Sequence, residues 1–406
     1  MYTVPSNRLY PYQWAWDSAF LAIGWATVNV DRALVELESL FEGQWEDGRI
    51  PHILFRERVD SYYPGPDVWG CERSSTITNP AVFGLALERV LEHAALRVGA
   101  TSVDAKVLAE VGVTRPQERI VSLLRRIEHF HGFVRRSRDP LGLHCVSCAH
   151  PWESGRDNCI AWDEALREVD IDGVDASGRR DKDKVDDPRQ RPTDEAYRGY
   201  LALVAAIRES NFGPGPFAVY DPFLSTLLAL SEASLGRIAS WFGEDAMADR
   251  ARERAEEVTS ALQQLWDDEA EAYVWKNART GAKKAQPILA AQFPLLLEIP
   301  RSARNVLEER FQAGFFGVAG DFPTVSRNSE SFDPLCYWRG PQWINMTWFF
   351  RPLYRERVDE NVLKLVAEHG FAEYFNPVSG APLGARAFGW SAALTLDILA
   401  RTADSP

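Results

Sequence analysis

Residues 31–45 read DRALVELESLFEGQW, and this stretch sets the fold class. Asp31 stands where a helix N-cap belongs, and Ala33, Leu34, Leu37, Leu40 and Phe41 follow at helical spacing, the apolar stripe of an amphipathic helix. The same period continues at 80–98, 116–137, 193–210, 221–242, 244–266, 288–297, 302–311, 342–353, 356–368 and 391–402, with a largely apolar run at 14–26. About a dozen helices against a few short extended pieces, such as AYVWK at 272–276, make an all-α chain. Long loops rich in Gly, Pro and aromatics separate them at 44–80, 144–162, 273–287 and 370–390. Paired helices with such loops gathered at one end predict an (α/α)6 barrel (toroid), six inner and six outer helices around a pocket, in a single domain over 1–406. The sequence period that a solenoid would require is absent.

Bulk composition narrows the function classes. At 46% hydrophobic and 25% charged over 406 residues, the chain can bury a core without staples. Its five cysteines, an odd count, then fit a reducing compartment rather than a disulfide framework. No apolar run approaches the roughly 18 residues of a membrane helix. Residues 1–12 lack a signal peptide's basic and apolar regions, so a cytoplasmic chain without a membrane partner is expected. A net charge of −13 argues against nucleic acid as well. A homo-oligomer is left open.

The aromatic residues are placed unusually. Trp14, Trp16, Trp69, Trp152, Trp162, Trp338, Trp343 and Trp390 sit in turn-like text beside Pro, Gly, Asp or Arg. An indole N–H needs a partner that a core rarely offers, whereas a pocket for a polar ring with C–H faces benefits from a flat amphipathic wall. A sugar is the first ligand this suggests; aromatic packing between helices is the plainer alternative. Residues 170–193 (DIDGVDASGRRDKDKVDDPRQRPT) lack an apolar period and carry dense opposing charge, which predicts an exposed loop. Following the richest motif, it is a candidate mobile lid, or a plain linker.

That motif is PWESGRDN at 151–158, two carboxylates, a guanidinium and an indole around a central Gly. Splitting a glycosidic bond needs a proton donor at the leaving oxygen, and a carboxyl raised by burial and by a like charge can hold that proton near neutral pH, which makes Asp157 the candidate acid. A second carboxylate must activate water from the opposite face of the sugar. Glu373, in FAEYFN at 371–376 before a Gly/Pro loop, is the candidate base. Asp17, in YPYQWAWD at 10–17, is placed to bind hydroxyls or position the water, and YWRGPQW at 337–343 supplies another aromatic loop. HCVSCAH at 144–150 could offer two thiolates and two imidazoles to zinc, but a lone CxxC lacks a second knuckle, and packing beside the acid loop is the default.

Taken together, these motifs resemble the trehalase and family 63 glycoside hydrolase clan. ESGRDN at 153–158 looks like its acid-bearing loop, with Asp157 on the acid. AEYFNPVSG at 372–380 with FGWS at 388–391 looks like its base-bearing loop, with Glu373 on the base. YPYQWAWD and YWRGPQW are most similar to the sugar-binding loops of the bacterial branch that hydrolyses mannosylglycerate and glucosylglycerate. The resemblance runs from about Tyr10 to the last helix. It implies an (α/α)6 barrel, inversion at the anomeric carbon, no metal and no organic cofactor, with Tyr10, Trp14, Asp17, Tyr337, Trp338 and Trp343 in the sugar site. Two positions depart from the pattern: Asn79 in TITNP stands where relatives often carry Gln, which would alter a hydrogen bond to substrate, and Cys159 follows DN where Ser is usual.

A glycerate-bearing substrate would require a cation, because an unpaired buried carboxylate is costly. Arg191 is the candidate by its place in the family order, with Arg198 and Arg339 as rivals. Tyr62 and Tyr63, before Pro64-Gly65-Pro66, either close the sugar side or pack on their own loop. The expected activity is therefore an inverting glycosidase on a small α-linked glycoside, glucosylglycerate or mannosylglycerate, its two carboxyl groups roughly 6.5–9.5 Å apart. A neutral disaccharide or oligosaccharide as substrate, or a non-catalytic sugar-binding protein, are the alternatives.

Overall fold

The fold is described from a computed structural model, covering residues 1–213, 215–315 and 321–403. Its helices are α1 (Ala15–Ala26), α2 (Val30–Phe41), α3 (Pro66–Trp69), α4 (Phe83–Val98), α5 (Ala105–Glu110), α6 (Pro116–Ser137) and α7 (Asp163–Arg167). They continue with α8 (Asp194–Glu209), α9 (Pro222–Trp241), α10 (Asp245–Ala261), α11 (Arg301–Gly314), α12 (Ile344–Phe349), α13 (Arg351–His369) and α14 (Gly389–Ala403). Side-chain caps fix several starts: the Thr193 hydroxyl accepts from the Ala196 amide at 3.2 Å, and Asp221 accepts from Phe223 at 2.9 Å.

α1 is buried on every face except at Trp25, which makes it a central element. It packs against α2, α4 and α14, α4 packs in turn on α9, and α12 lies on α14. Two of these crossings depend on missing side chains. A Cβ on Gly24 would come within 2.5 Å of Ala393, and one on Gly84 within 2.3 Å of the Ser231 carbonyl. The N-termini of α1, α9, α12 and α14 each follow directly on one of the loops singled out above or on the sheet beside them.

Some expected boundaries shift. Asp31 is not the cap: α2 begins at Val30 and Asn29 caps it by accepting from Arg32 at 3.0 Å. The apolar run at 288–297 folds as a 3-10 segment, Leu289–Leu296, because Pro294 removes an amide from its interior. The break expected near 354 is a kink at Tyr354 (φ −137°, ψ 48°) inside α13. Short strands are more numerous than the all-α reading suggests. β3 (Ser147–Cys148), β4 (Val219–Tyr220), β5 (Trp266–Asp267), β6 (Ala272–Asn277) and β7 (Lys283–Ala285) form one antiparallel sheet, order β3-β4-β6-β5 with β7 also on β6. β1 (Gln13–Trp14) pairs with β2 (Ile53–Leu54), and β8 (Tyr374–Phe375) with β9 (Pro382–Leu383).

The 170–193 loop is exposed only in part. Arg179, Gln190 and Arg191 are buried. The Gln190 side chain accepts from the Gly384 amide at 2.9 Å, and its carbonyl accepts from the Tyr374 hydroxyl at 2.7 Å. The loop's charge therefore conceals an anchored C-terminal end.

Candidate active site

The acid loop is shaped by its backbone. The His150 ring accepts from the Trp152 amide at 3.0 Å to start the 3-10 turn Pro151–Ser154, and Gly155 ends it at φ +68°. Glycine suits the position, since the backbone is left-handed and a Cβ would press to 3.1 Å on the Trp16 indole. Asn79 ties the same parts together, accepting from the Trp16 amide and donating to the Trp152 carbonyl, both at 3.3 Å.

Within ESGRDN the polar side chains divide sharply. Glu153 accepts from Arg138 at 2.6 and 2.9 Å and from the Thr78 and Ala149 amides at 3.1 and 3.0 Å. Although burial opposes it, the Arg138 charge and these bonds hold the Glu153 carboxyl below its ordinary range. Arg156 pairs with Asp221 and lies 4.3 Å from the Phe223 ring centroid. Both are structural. Asp157 lines a cavity, and among the described residues its carboxyl takes no side-chain hydrogen bond. Burial, only partly opposed by the Arg191 charge and reinforced by Glu373, pushes it up to about 7.

Glu373 is held differently. Its own amide donates to the Ala385 carbonyl at 2.8 Å, and the Ala385 amide returns a 2.8 Å bond to Oε2. Gly384 lets this loop close, since a Cβ would lie 2.4 Å from that oxygen. Arg191 donates from Nη2 to Oε2 at 2.7 Å, and the Tyr10 hydroxyl donates to Oε1 at 2.6 Å. Tyr10 also meets Arg191 at 2.8 Å and the Tyr337 hydroxyl at 3.0 Å. Glu373 is 1% exposed and sits behind Tyr10 and Arg191, which line the cavity with Asp157. Asp17, in the first turn of α1, is pushed well above the usual carboxyl range by burial and then by the charge of Glu373, with Asp157 adding to it. Three carboxyl groups thus share one electrostatic neighbourhood.

The cavity measures about 80 Å³ and is also lined by Trp14, Tyr62 and Tyr337. Trp338 and Trp343 are placed otherwise. They stack on each other at 3.8 Å and 5°, Trp343 stacks in turn on Tyr374, and at 1% and 0% exposure they support Tyr337 and Tyr374 from within the core. Arg191, expected at an aglycone carboxylate, is on Glu373. Arg339 pairs with Asp163 and is absent from the cavity wall, as is Arg198. Tyr62 packs edge-on against Tyr12 and Trp14, and Gly178 of the 170–193 loop presses against the Tyr63 ring. The four side chains of HCVSCAH diverge: His144 faces Glu257 at 2.9 Å, the Cys148 thiol donates to the His150 carbonyl, and His150 Nε2 meets the Tyr200 carbonyl. Cys145 is a buried free thiol.

Sequence reasoning missed several wall residues: His52, Tyr197, and Arg180, Asp181 and Lys184 of the loop; Trp152 was noted among the pocket-like tryptophans but not assigned to the site. Trp152 was within reach, since it sits inside the acid motif. His52 is stacked near Trp152 and burial lowers it to about 3, so it is a neutral ring.

A mannosylglycerate hydrolase from Thermus thermophilus is 35% identical over 97% of this chain and 96% of its own. A glucosylglycerate hydrolase from Mycolicibacterium hassiacum is 32% identical, over 98% of this chain and 94% of its own. A solved family 63 mannosylglycerate hydrolase from Thermus thermophilus, in complex with Tris and D-glycerate, superposes with a TM-score of 0.86 at 34% identity, covering 98% of this chain and 95% of that one. The model of the mannosylglycerate hydrolase MGH1-like glycoside hydrolase domain matches residues 10–391, and the chain belongs to that glycoside hydrolase family.

Proposed function

We propose that the chain hydrolyses mannosylglycerate or glucosylglycerate with inversion, Asp157 as general acid and Glu373 as general base. The observation that carries this reading is the unequal treatment of two carboxyls at one cavity: Asp157 rises to about 7, and Glu373 is held by a guanidinium. Asp157 gives its proton to the glycosidic oxygen as the bond to the anomeric carbon breaks. Water attacks that carbon from the opposite face, and Glu373 takes the proton water loses. Sugar and glycerate leave, and the next cycle begins once Glu373 has released its proton to solvent and Asp157 has regained one.

Glu373 is covered by Tyr10 and Arg191, and an anionic aglycone supplies the means to uncover it. Its carboxylate competes with Glu373 for Arg191, while Arg180 and Lys184, which bond only backbone carbonyls among the described residues, add charge from the loop. Residues 170–193 act as the lid over this end of the cavity, since an 80 Å³ space must widen to admit a glycoside. Among the described residues no helix is long and apolar enough to cross a membrane. The five free cysteines support a cytoplasmic setting.

Proton NMR of the protein with mannosylglycerate, glucosylglycerate and trehalose tests the proposal. The expected result is release of the β-anomer first from one or both glycerate glycosides. Turnover of trehalose alone, or first release of the α-anomer, sinks it.

A further inference from the structure

Asp157 and Glu373 stand on two loops far apart in the chain, so their separation is set by whatever grips both. The grip matters to the rate, since a reacting group misplaced by about 1 Å can cost about 10²-fold in turnover. The anchored end of the 170–193 loop and α8, which follows it directly, reach both loops. At the near end Gln190 holds the base loop twice. Its side chain accepts from the Gly384 amide, one residue before Ala385, whose own amide bonds the Glu373 carboxyl. Its carbonyl accepts from the hydroxyl of Tyr374, which follows Glu373 in the chain.

At the far end Tyr200 clasps the acid loop at two points. Its carbonyl accepts from His150 Nε2 at 3.0 Å, which leaves Nδ1 of that ring as the acceptor for the Trp152 amide at the start of the 3-10 turn. Its hydroxyl donates to the backbone carbonyl of Asp157 at 2.9 Å. The ring is buried and packs on Trp152 with centroids 5.4 Å apart, so the hydroxyl is held where it is by its neighbours. Burial, and then the Asp157 charge, push the phenol well above its usual range, which keeps its proton in place for that bond. Asn158 adds a tie of its own, accepting from the Trp338 amide at 3.0 Å, but this holds the neighbour of the acid and Tyr200 holds the acid's own backbone. Between Gln190 and Tyr200 the chain is capped by Thr193 and then helical, a span that its own hydrogen bonds keep at fixed length.

We infer, resting on Asp157 as acid and Glu373 as base, that residues 190–200 are a spacer that sets the distance between the two, with Tyr200 the positioning residue of Asp157 and Gln190 that of the Glu373 loop. Neither side chain lines the cavity, so each acts through the loop it holds. The two ends therefore serve different half-reactions: Tyr200 serves proton donation to the leaving oxygen, and Gln190 serves activation of water.

Steady-state kinetics of the full chain on mannosylglycerate and glucosylglycerate, set against α-mannosyl and α-glucosyl fluoride, test this, because fluoride leaves without a proton and its hydrolysis needs only the base. Tyr200→Phe keeps the packed ring and deletes one hydrogen bond. It is expected to lower kcat on the glycerate glycoside by about ten-fold or more with KM unchanged, and to stay within about two-fold of the parent on the fluoride. Gln190→Ala is expected to lower kcat by about ten-fold on both kinds of substrate. Thermal unfolding of the two variants is followed alongside, since a purely structural part would lower Tm and reduce every substrate alike in both. Equal losses on glycoside and fluoride in Tyr200→Phe, no loss on either, or a Gln190→Ala loss confined to the glycoside overturns the inference. Asp157→Asn separates this from the underlying reading: if it gains nothing on the fluoride, the assignment of the acid fails, and if it recovers there while Tyr200→Phe does not, the acid stands and the spacer falls.

Discussion

Asp157 and Glu373 are carboxyl groups of one site in opposite surroundings. Asp157 lines the cavity, takes no side-chain donor among the described residues, and rises to about 7. Glu373 lies behind Tyr10 and Arg191 and accepts from both, and from the Ala385 amide. Burial without a side-chain donor favours the protonated form of Asp157, which can then give that proton away, whereas the oxygens of Glu373 are already taken by Tyr10, Arg191 and the Ala385 amide. Glu153, four residues from Asp157, shows that position in the motif does not decide this, because Arg138 and two amides make it a structural anion.

The largest effects should come from breaking the pair. Asp157→Asn and Glu373→Gln are each expected to lower kcat on glycerate glycosides by about 10³-fold or more, at the upper end of general acid–base contributions. An α-glycosyl fluoride separates the roles, since fluoride leaves without a proton. Asp157→Asn should recover much of its activity on the fluoride while Glu373→Gln should not. Recovery in both would show that the two groups are not distinct as acid and base.

Arg191 is the next lever, because it acts on both members. Arg191→Met should lower kcat by roughly 10²-fold and raise KM as well, the pattern of a group that serves transition state and ground state together. Its charge also pulls Asp157 down, so removal should move the basic limb of the kcat/KM profile, near pH 7 in the parent, to higher pH. Glu373→Gln should move the residual limb the other way. A rise in KM alone, with the limb unmoved, would reduce Arg191 to a simple aglycone ligand.

The same carboxyl should be visible in stability. The folded value of Asp157 is raised, so the folded chain holds its proton over a window where the unfolded chain has lost it. Stability therefore falls as pH rises from about 4 towards 7, and the cost is fully present above that. Asp157→Asn should consequently unfold later than the parent at pH 8, by about 2–4 kcal/mol, and by nothing resolvable at pH 4. Urea unfolding at the two pH values checks it; equal differences at both would mean that the gain is not electrostatic.

How much of this could be read in the text differs between the two loops. Helix starts with a capping side chain, Thr193 and Asp221, were legible within a residue, because the signal is local. The 3-10 segment over 289–296 was not, because an apolar run without caps reads as a helix and Pro294 was outweighed. Asp157 could be singled out as the candidate acid, but setting it apart from Glu153 required Arg138. Arg191 could be singled out as a cation of the site, yet its anion stands 182 residues further on, and chain text carries no distance between them. Trp338 and Trp343 read as sugar walls because indoles beside Pro and Gly suggest exposure, whereas each is buried by the other's face.

The smallest expected effect concerns the lid and decides how far the asymmetry between the loops extends to the aglycone. Lys184 donates to the Ser61 carbonyl at 2.9 Å and lines the cavity, with Asp181 also in its wall. If the lid only excludes water, replacing its cation should change every substrate alike. If it receives the aglycone carboxylate, Lys184→Met should raise KM about five-fold on a glycerate glycoside, in keeping with one partly exposed charge contact, and leave kcat unchanged. An α-glycosyl fluoride, which carries no such carboxylate, should be unaffected by the substitution. Equal losses on both substrates would return Lys184 to a lid contact and leave Arg191 as the cation that distinguishes a glycerate glycoside from a neutral one.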